Sequence, residues 1–261
     1  MTVEECLRTG FRDSILRPFR DAVDRYRLIE PGDRIAVCVS GGKDSMLLAK
    51  LMQMLQMSGE IGFEPVYLVM DPGYSRENRR RIEENARRLG IPCTIFESDV
   101  FQVANAQERN PCFLCARMRR GKLYQQARDL GCGKIALGHH FNDVIETTVM
   151  AMLYGGQLQA MTPMLRSAHF PGMVLIRPLY LVREETTIAW KNMMGLDFLQ
   201  CACRFTESSA HREGGSKRQE VKALLRRLRE TDPLTEEHVF RGIHALDLDT
   251  MTAVKGGTSD A

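Results

Sequence analysis

Two blocks of this 261-residue chain carry side chains of the kinds that do chemistry, at spacings that chemistry can use. The first is Ser40-Gly41-Gly42-Lys43-Asp44-Ser45, set between the apolar run Ile35–Val39 and the apolar stretch Met46–Met57. Adjacent glycines let a backbone turn tightly and approach a ligand closely. A helix that follows such a loop points its free N–H groups and the positive end of its dipole back at it, which favours an anion such as phosphate. Ser40 and Ser45 add hydroxyl donors. The pattern is not the G-x-x-x-x-G-K-S/T loop of kinases and GTPases, because the second glycine and the lysine are wrongly spaced. The second block is Cys112-Phe113-Leu114-Cys115, with Cys201-Ala202-Cys203 far downstream.

Thiolates bind zinc and iron–sulfur clusters, and a C-x-x-C turn can present two sulfurs to one centre. Three readings stand side by side. The two pairs supply the four ligands of a structural zinc; Cys112 and Cys115 form a redox dithiol; or the clustered thiols hold an iron–sulfur cluster. Cys6, Cys38, Cys93 and Cys132 are isolated. Cys38 and Cys93 fall in strand patterns and are expected to be buried packing residues.

These blocks need a scaffold. Hydrophobic residues at 44% and charged residues at 26% suit a globular chain with a core. A net charge of +3 neither demands nor excludes nucleic acid. Apolar runs such as Val66–Met70 fall far short of the roughly 18 residues that span a bilayer. Glu4 and Glu5 stand where a signal peptide would be basic, so the expected location is the cytoplasm, where thiols stay reduced.

Ile15, Phe19, Ala22, Val23 and Tyr26 predict an amphipathic helix over Arg12–Leu28. Strands are then expected at Ile35–Val39, Val66–Met70, Cys93–Phe96 and Ile135–Leu137. Helices are expected at Met46–Met57, Ser75–Leu89, Cys115–Leu130 and Asn142–Tyr154. Such alternation predicts an α/β domain with a parallel sheet covered on both faces, and a ligand beyond the carboxyl ends of the strands. Met164–Leu179 reads as a hairpin or an irregular excursion. Further helices are expected at Arg183–Met194, Gly214–Arg229 and Thr235–Leu246. The expected division is an N-terminal helical segment over 1–30, the α/β domain over 31–200, a helical extension over 201–250 and a disordered tail over 251–261.

Ser40–Ser45 resembles the SGGxDS loop of the PP-loop ATP pyrophosphatases, which cleave ATP to AMP and pyrophosphate. Leu137-Gly138-His139-His140-Phe141-Asn142-Asp143-Val144-Ile145-Glu146-Thr147 is similar to the GHHxDDxxET segment of their tRNA-modifying members. Cys112–Tyr124 resembles the C-x-x-C-x-R-x-R-R-G-x-L-Y block of the tRNA 2-thiocytidine synthetases. The resemblance implies an adenine nucleotide alpha-hydrolase-like, Rossmann-like three-layer domain. It implies ATP held by Ser40, Gly41, Gly42, Lys43, Asp44, Ser45, Met70, Gly138, His139 and Asp143, with pyrophosphate on the loop and Mg²⁺ near Asp143.

It also implies a 4Fe-4S cluster on three cysteines with one iron left open. The ligands are Cys112, Cys115 and either Cys201 or Cys203. That choice stays open because this chain has C-x-C where relatives have C-x-x-C. Asn142 replaces a first aspartate of the relatives. The terminal zinc-binding cysteine pairs of the tRNA 2-thiouridine synthetases are absent, which favours the thiocytidine side.

The expected reaction is ATP-dependent thiolation of a tRNA base, a cytidine of the anticodon loop, through an adenylated base. Asp44, Asp143 and Arg119 are the expected catalytic residues. Arg119, one turn beyond Cys115, is suited to face the α-phosphate or hold the base. Expected partners are tRNA and a sulfur donor such as a cysteine desulfurase or inorganic sulfide; relatives often dimerise, so a homodimer is expected too. The competing readings are a lysidine-synthetase-like tRNA cytidine ligase, a PP-loop sulfur-transfer protein acting on a non-tRNA substrate, and a nucleotide-binding regulator. Basic groups at Arg117–Lys122, Arg79–Arg88 and Lys217–Arg229 are either phosphate contacts or solvated helix faces. Of His139 and His140, one is expected at the nucleotide and the other in packing.

Overall fold

The structure, a computed structural model, describes residues 2–105, 111–199 and 216–245. The chain divides into two compact units, one of Met1–Asp143 with Thr162–Gly214 and the other of Val144–Met161 with Gly215–Ala261. No helix among the described residues is long and apolar enough to cross a membrane.

The first unit opens with α1 (Val3–Thr9), whose first turn is closed by a reciprocal Thr2–Glu5 capping box. The predicted helix over Arg12–Leu28 is instead a π-helical turn (Arg12–Leu16) followed by α2 (Arg17–Arg25). The turn absorbs an extra residue that periodicity alone does not register, and the chain leaves α2 through Arg27 at φ 47°.

The sheet follows. β1 (Arg34–Val39), β2 (Glu64–Asp71), β3 (Thr94–Glu97) and β4 (Lys134–Ala136) alternate with α3 (Lys43–Ser58), α4 (Arg76–Arg88), and the pair α5 (Val100–Asn105) and α6 (Pro111–Asp129). α5 was not predicted. After α7 (Phe141–Gly155) come β5 (Met164–Arg166) and β6 (Val174–Ile176), then α8 (Glu184–Met193). Met164–Leu179 is thus a hairpin, and its second strand joins the main sheet parallel to β4.

The sheet order is β3-β2-β1-β4-β6-β5. All pairs are parallel except β5 with β6, so the sheet carries an antiparallel edge strand. From β1 the chain first steps outward to β2 and β3, then returns to the other side of β1 as β4. Right-handed crossovers therefore put α3 and α4 on one face and α6 on the other. Packing agrees: Ala36, Cys38, Leu68, Ile135 and Leu175 share a face and bury against Tyr124 and Ala127 of α6. The reversal between β1 and β4 is the topological switch point, where an α/β sheet opens a crevice beyond its strand ends.

In the second unit, α9 (Lys217–Thr231) starts with a Ser216–Gln219 capping box and buries Val221 and Leu225; α10 (Thr235–His244) follows.

Candidate active site

A cavity of about 420 Å³ lies at the switch point. Ser40 and Gly42 line it from the β1–α3 loop and Asp44 and Ser45 from the first turn of α3, with Gly138 and His139 from the β4–α7 loop, Asp143 from the start of α7, Met70 from β2, and Arg119 from α6. The structure thus gathers most of the expected nucleotide residues in one place. Gly41 and Lys43 belong to the same loop without lining the cavity.

The loop is shaped by its own side chains. Ser45 Oγ accepts the Ser40 backbone N–H at 3.1 Å and lies 2.9 Å from the Gly42 carbonyl oxygen, closing the loop on the first turn of α3. Gly41 sits at φ +85°, and a Cβ there would stand 2.6 Å from Ile82 Cγ1. Gly138 is needed for a different reason. A Cβ on it would lie 3.0 Å from the Asp44 carbonyl carbon and the Ser45 nitrogen, so only glycine lets the two loops meet.

The charged groups form one network. Lys43 Nζ lies 2.9 Å from Asp44 Oδ2 and 3.4 Å from Glu184 Oε1. His140 is buried; its Nδ1 accepts the Asp143 backbone N–H at 3.3 Å, and Asp143 Oδ2 accepts the His140 backbone N–H at 3.1 Å. Accepting at Nδ1 assigns the ring proton to Nε2, which lies 4.0 Å from Asp44 Oδ2. Asn142 Oδ1 accepts the Glu184 N–H at 2.9 Å, so the residue standing in for an aspartate anchors the start of α8. Glu184 and its helix-mate Thr187 were not singled out in the sequence. They belong to no local motif there, and only the tertiary fold brings them to the loop.

Arg120, Leu123, Tyr124 and Cys38 also line the cavity. Burial pushes the Cys38 thiol up to about 12, so it stays protonated at neutral pH and is a poor nucleophile. Cys6 and Cys132 are buried, and burial pushes both thiols up. Cys93 precedes β3 rather than lying in it and is half-buried, correcting its expected full burial; its thiol is pushed up to about 11. Cys112 and Cys115 fall in the first turns of α6, with Cys115 half-buried. Cys201 and Cys203 lie outside the described residues, and so does the expected tail. No group of three metal-ligating side chains is assembled among the described residues.

The basic groups divide. On α4, Arg79 bridges Asp71, Glu83 and Glu97, while Arg81 pairs with Glu77 and Asp197, so these two serve the fold. In the second unit, Arg218 and Lys222 each lie 3.6 Å from the buried carboxylate of Glu146, and Arg218 donates to Thr147 Oγ1 at 3.2 Å. The Glu146-Thr147 end of the second motif therefore holds α9 and does not line this cavity.

A glycine-serine loop opening a helix at the switch point of such a sheet defines a PP-loop domain, and residues 12–204 match the family model described as a PP-loop domain. The chain is 36% identical over 226 residues to a tRNA-cytidine(32) 2-sulfurtransferase of Alkalilimnicola ehrlichii, covering 85% of this chain and 70% of that relative. A protein of the same name from Anaeromyxobacter dehalogenans is 34% identical over 90% of this chain and 82% of its own. Another from Neisseria meningitidis is 40% identical over 69% of this chain, which spans little more than half of that relative, 57%. The fold resembles that of the U34-tRNA thiolase NcsA from Methanococcus maripaludis, solved with its 4Fe-4S cluster, with TM-score 0.68 and 20% identity over 87% of this chain and 76% of that one. The chain belongs to the tRNA-cytidine(32) 2-sulfurtransferase family.

Proposed function

We propose that this chain thiolates tRNA in an ATP-dependent reaction, with cytidine 32 as the acceptor base that its relatives' names specify. As a member of that family it is a PP-loop sulfurtransferase. The observation that carries the reading is the composition of one cavity: the phosphate loop forms one wall and α6, the helix of Cys112 and Cys115, forms another.

The loop N–H groups and the Ser40 and Ser45 hydroxyls bind the β- and γ-phosphates, which leave as pyrophosphate. Asp44 and Asp143 face the same space and are suited to hold Mg²⁺ on those phosphates. Arg119 neutralises charge as the base oxygen attacks the α-phosphate, giving an adenylated base and pyrophosphate. Adenylation turns a poor leaving oxygen into AMP, which a sulfur nucleophile then displaces. Met70 and Leu137 supply apolar walls for the nucleotide base.

The donor set fits a 4Fe-4S cluster. Cys112 and Cys115 are soft thiolate donors three residues apart, and Cys115 lies four residues before Arg119, or roughly 6 Å along a helix. Cys112, Cys115 and one of Cys201 or Cys203 would hold it, leaving a structural zinc and a redox dithiol as the less favoured readings. When bound, the cluster would supply an iron with a free coordination position able to take up sulfide. The sulfur comes from inorganic sulfide, or from the persulfide of a cysteine desulfurase after a two-electron donor such as a dithiol has reduced it to sulfide.

The relatives' names favour thiolation over the cytidine ligase, the regulator and a non-tRNA substrate. The test is anaerobic purification with iron and sulfide assay, together with tRNA-stimulated pyrophosphate release and mass spectrometry of the product nucleosides. Iron, labile sulfide and 2-thiocytidine are expected; pyrophosphate release without iron or thiolated nucleoside would overturn the reading.

A further inference from the structure

The carboxylate of Asp44 is gripped from outside its own loop. Its Oδ2 receives Lys43, and its Oδ1 lies 2.8 Å from the hydroxyl of Thr187, a residue 143 positions later on α8. Thr187 is fully buried. Its single hydroxyl proton has a second neighbour, the Glu184 carbonyl oxygen at 2.9 Å, but a carboxylate is the stronger acceptor. A threonine in a helix has two favoured χ1 rotamers, and the one here sets its hydroxyl between the Glu184 carbonyl and the Asp44 carboxylate.

The start of α8 is itself pinned. Asn142 accepts the Glu184 N–H, and Glu184 Oε1 reaches Lys43 at 3.4 Å and lies 3.9 Å from His140 Nε2. Donors on both oxygens leave Asp44 one orientation, with its remaining lone pairs available to the cavity it lines.

We propose that Thr187 is the positioning residue of the phosphate loop. Its hydroxyl sets the orientation in which Asp44 meets the phosphates of ATP and their metal ion, so α8 is part of the nucleotide site although it does not line the cavity. The inference rests on the reading of the cavity as an ATP site.

The test measures equilibrium binding of ATP with Mg²⁺ to the full chain, alongside tRNA-stimulated pyrophosphate release, for T187V, T187S, D44N and T187V/D44N. T187V is expected to weaken ATP binding about tenfold, while T187S, which restores the hydroxyl, stays within about threefold of wild type. In the D44N background T187V is expected to add less than twofold, because the hydroxyl then has no carboxylate to orient. A purely packing role predicts the reverse: T187S, which loses the methyl group, worse than T187V, and equal effects of T187V with and without D44N. Either result overturns the proposal, as does wild-type ATP affinity in T187V. Wild-type protein that binds ATP without releasing pyrophosphate in response to tRNA overturns the proposed function and leaves the binding comparison intact. Wild-type protein that binds no ATP overturns both.

Discussion

His140 and Asp143 cap each other at the start of α7: each backbone N–H donates to the other's side chain, at 3.1 and 3.3 Å. This is a capping box with an imidazole in the place of the usual hydroxyl. It makes Asp143 a structural and a cavity-lining residue at once. The two roles separate under substitution. Asp143→Asn keeps an acceptor for the His140 N–H and removes the charge. The expected outcome is a melting temperature within about 3 °C of wild type, set by a change well under 1 kcal/mol, with tRNA-dependent pyrophosphate release down about a hundredfold. Calorimetry and a pyrophosphate assay on one preparation check both halves, and retention of more than a tenth of the activity would refute the assigned role.

Gly138 gives a prediction about contact between the loops. A methyl group there meets the backbone of Asp44 and Ser45 at 3.0 Å, and backbone cannot swing aside as a side-chain end can. Gly138→Ala is expected to cost about 1–3 kcal/mol of stability and to lower ATP affinity at least tenfold by spreading the phosphate loop. Denaturant titration and ATP binding measure the two effects. Unchanged affinity would mean that the loop spacing does not matter to the ligand.

The parts of this site that the sequence reveals are those in which local chemistry and function coincide. Ser40–Ser45 is recognisable because a buried strand, two glycines and a helix start fall in succession, and the family model match over 12–204 agrees with that reading. Buried parallel strands such as Ile35–Val39 stand out as unbroken apolar runs. Thr187 and Glu184 do not stand out, because an ordinary Thr or Glu in the first turn of a helix says nothing about a loop 143 residues away. The strand β6 is only three residues long and follows a proline-containing turn, so its entry into the main sheet depends on tertiary pairing with β4. The Glu146-Thr147 pair closes the Leu137–Thr147 segment whose Gly138, His139 and Asp143 line the cavity, yet it meets Arg218 and Lys222 of α9. A motif shows that residues travel together, not that they touch the same ligand.

Cys38 makes stability depend on pH. Burial raises its pKa in the folded chain to about 12 from the ordinary value of 9.0, so the folded chain favours the protonated thiol. The stabilisation is fully present below pH 9 and is lost as pH rises toward 12, where the unfolded chain ionises first. Each group in this situation lowers stability by up to about 1.4 kcal/mol per pH unit within the window. Cys38→Ala is therefore expected to flatten the stability curve between pH 9 and pH 11 while costing some packing at pH 7. Urea midpoints across that range decide the matter, and a slope equal to wild type would show that the thiol does not titrate differently in the two states.

Glu146 is a buried, ion-paired carboxylate of the second unit. Its side chain is 3% exposed and is approached by two cations at 3.6 Å, on Arg218 and Lys222. Burying a carboxylate is unfavourable unless charge and hydrogen bonds compensate, and removing one partner of such a group usually costs more than the pair contributes. Arg218 and Lys222 are themselves 39% and 35% exposed, so solvent screens their share and the lower end of the range applies. Glu146→Ala is expected to destabilise the packing of α9 by about 1–3 kcal/mol and to speed tryptic cleavage within Lys217–Thr231. Nucleotide binding should change less than threefold, because Glu146 does not line the cavity. Limited proteolysis followed by mass spectrometry, with ATP affinity measured on the same variant, separates these outcomes. Loss of ATP binding with an unchanged cleavage pattern would assign Glu146 to the nucleotide site and remove its role in holding α9.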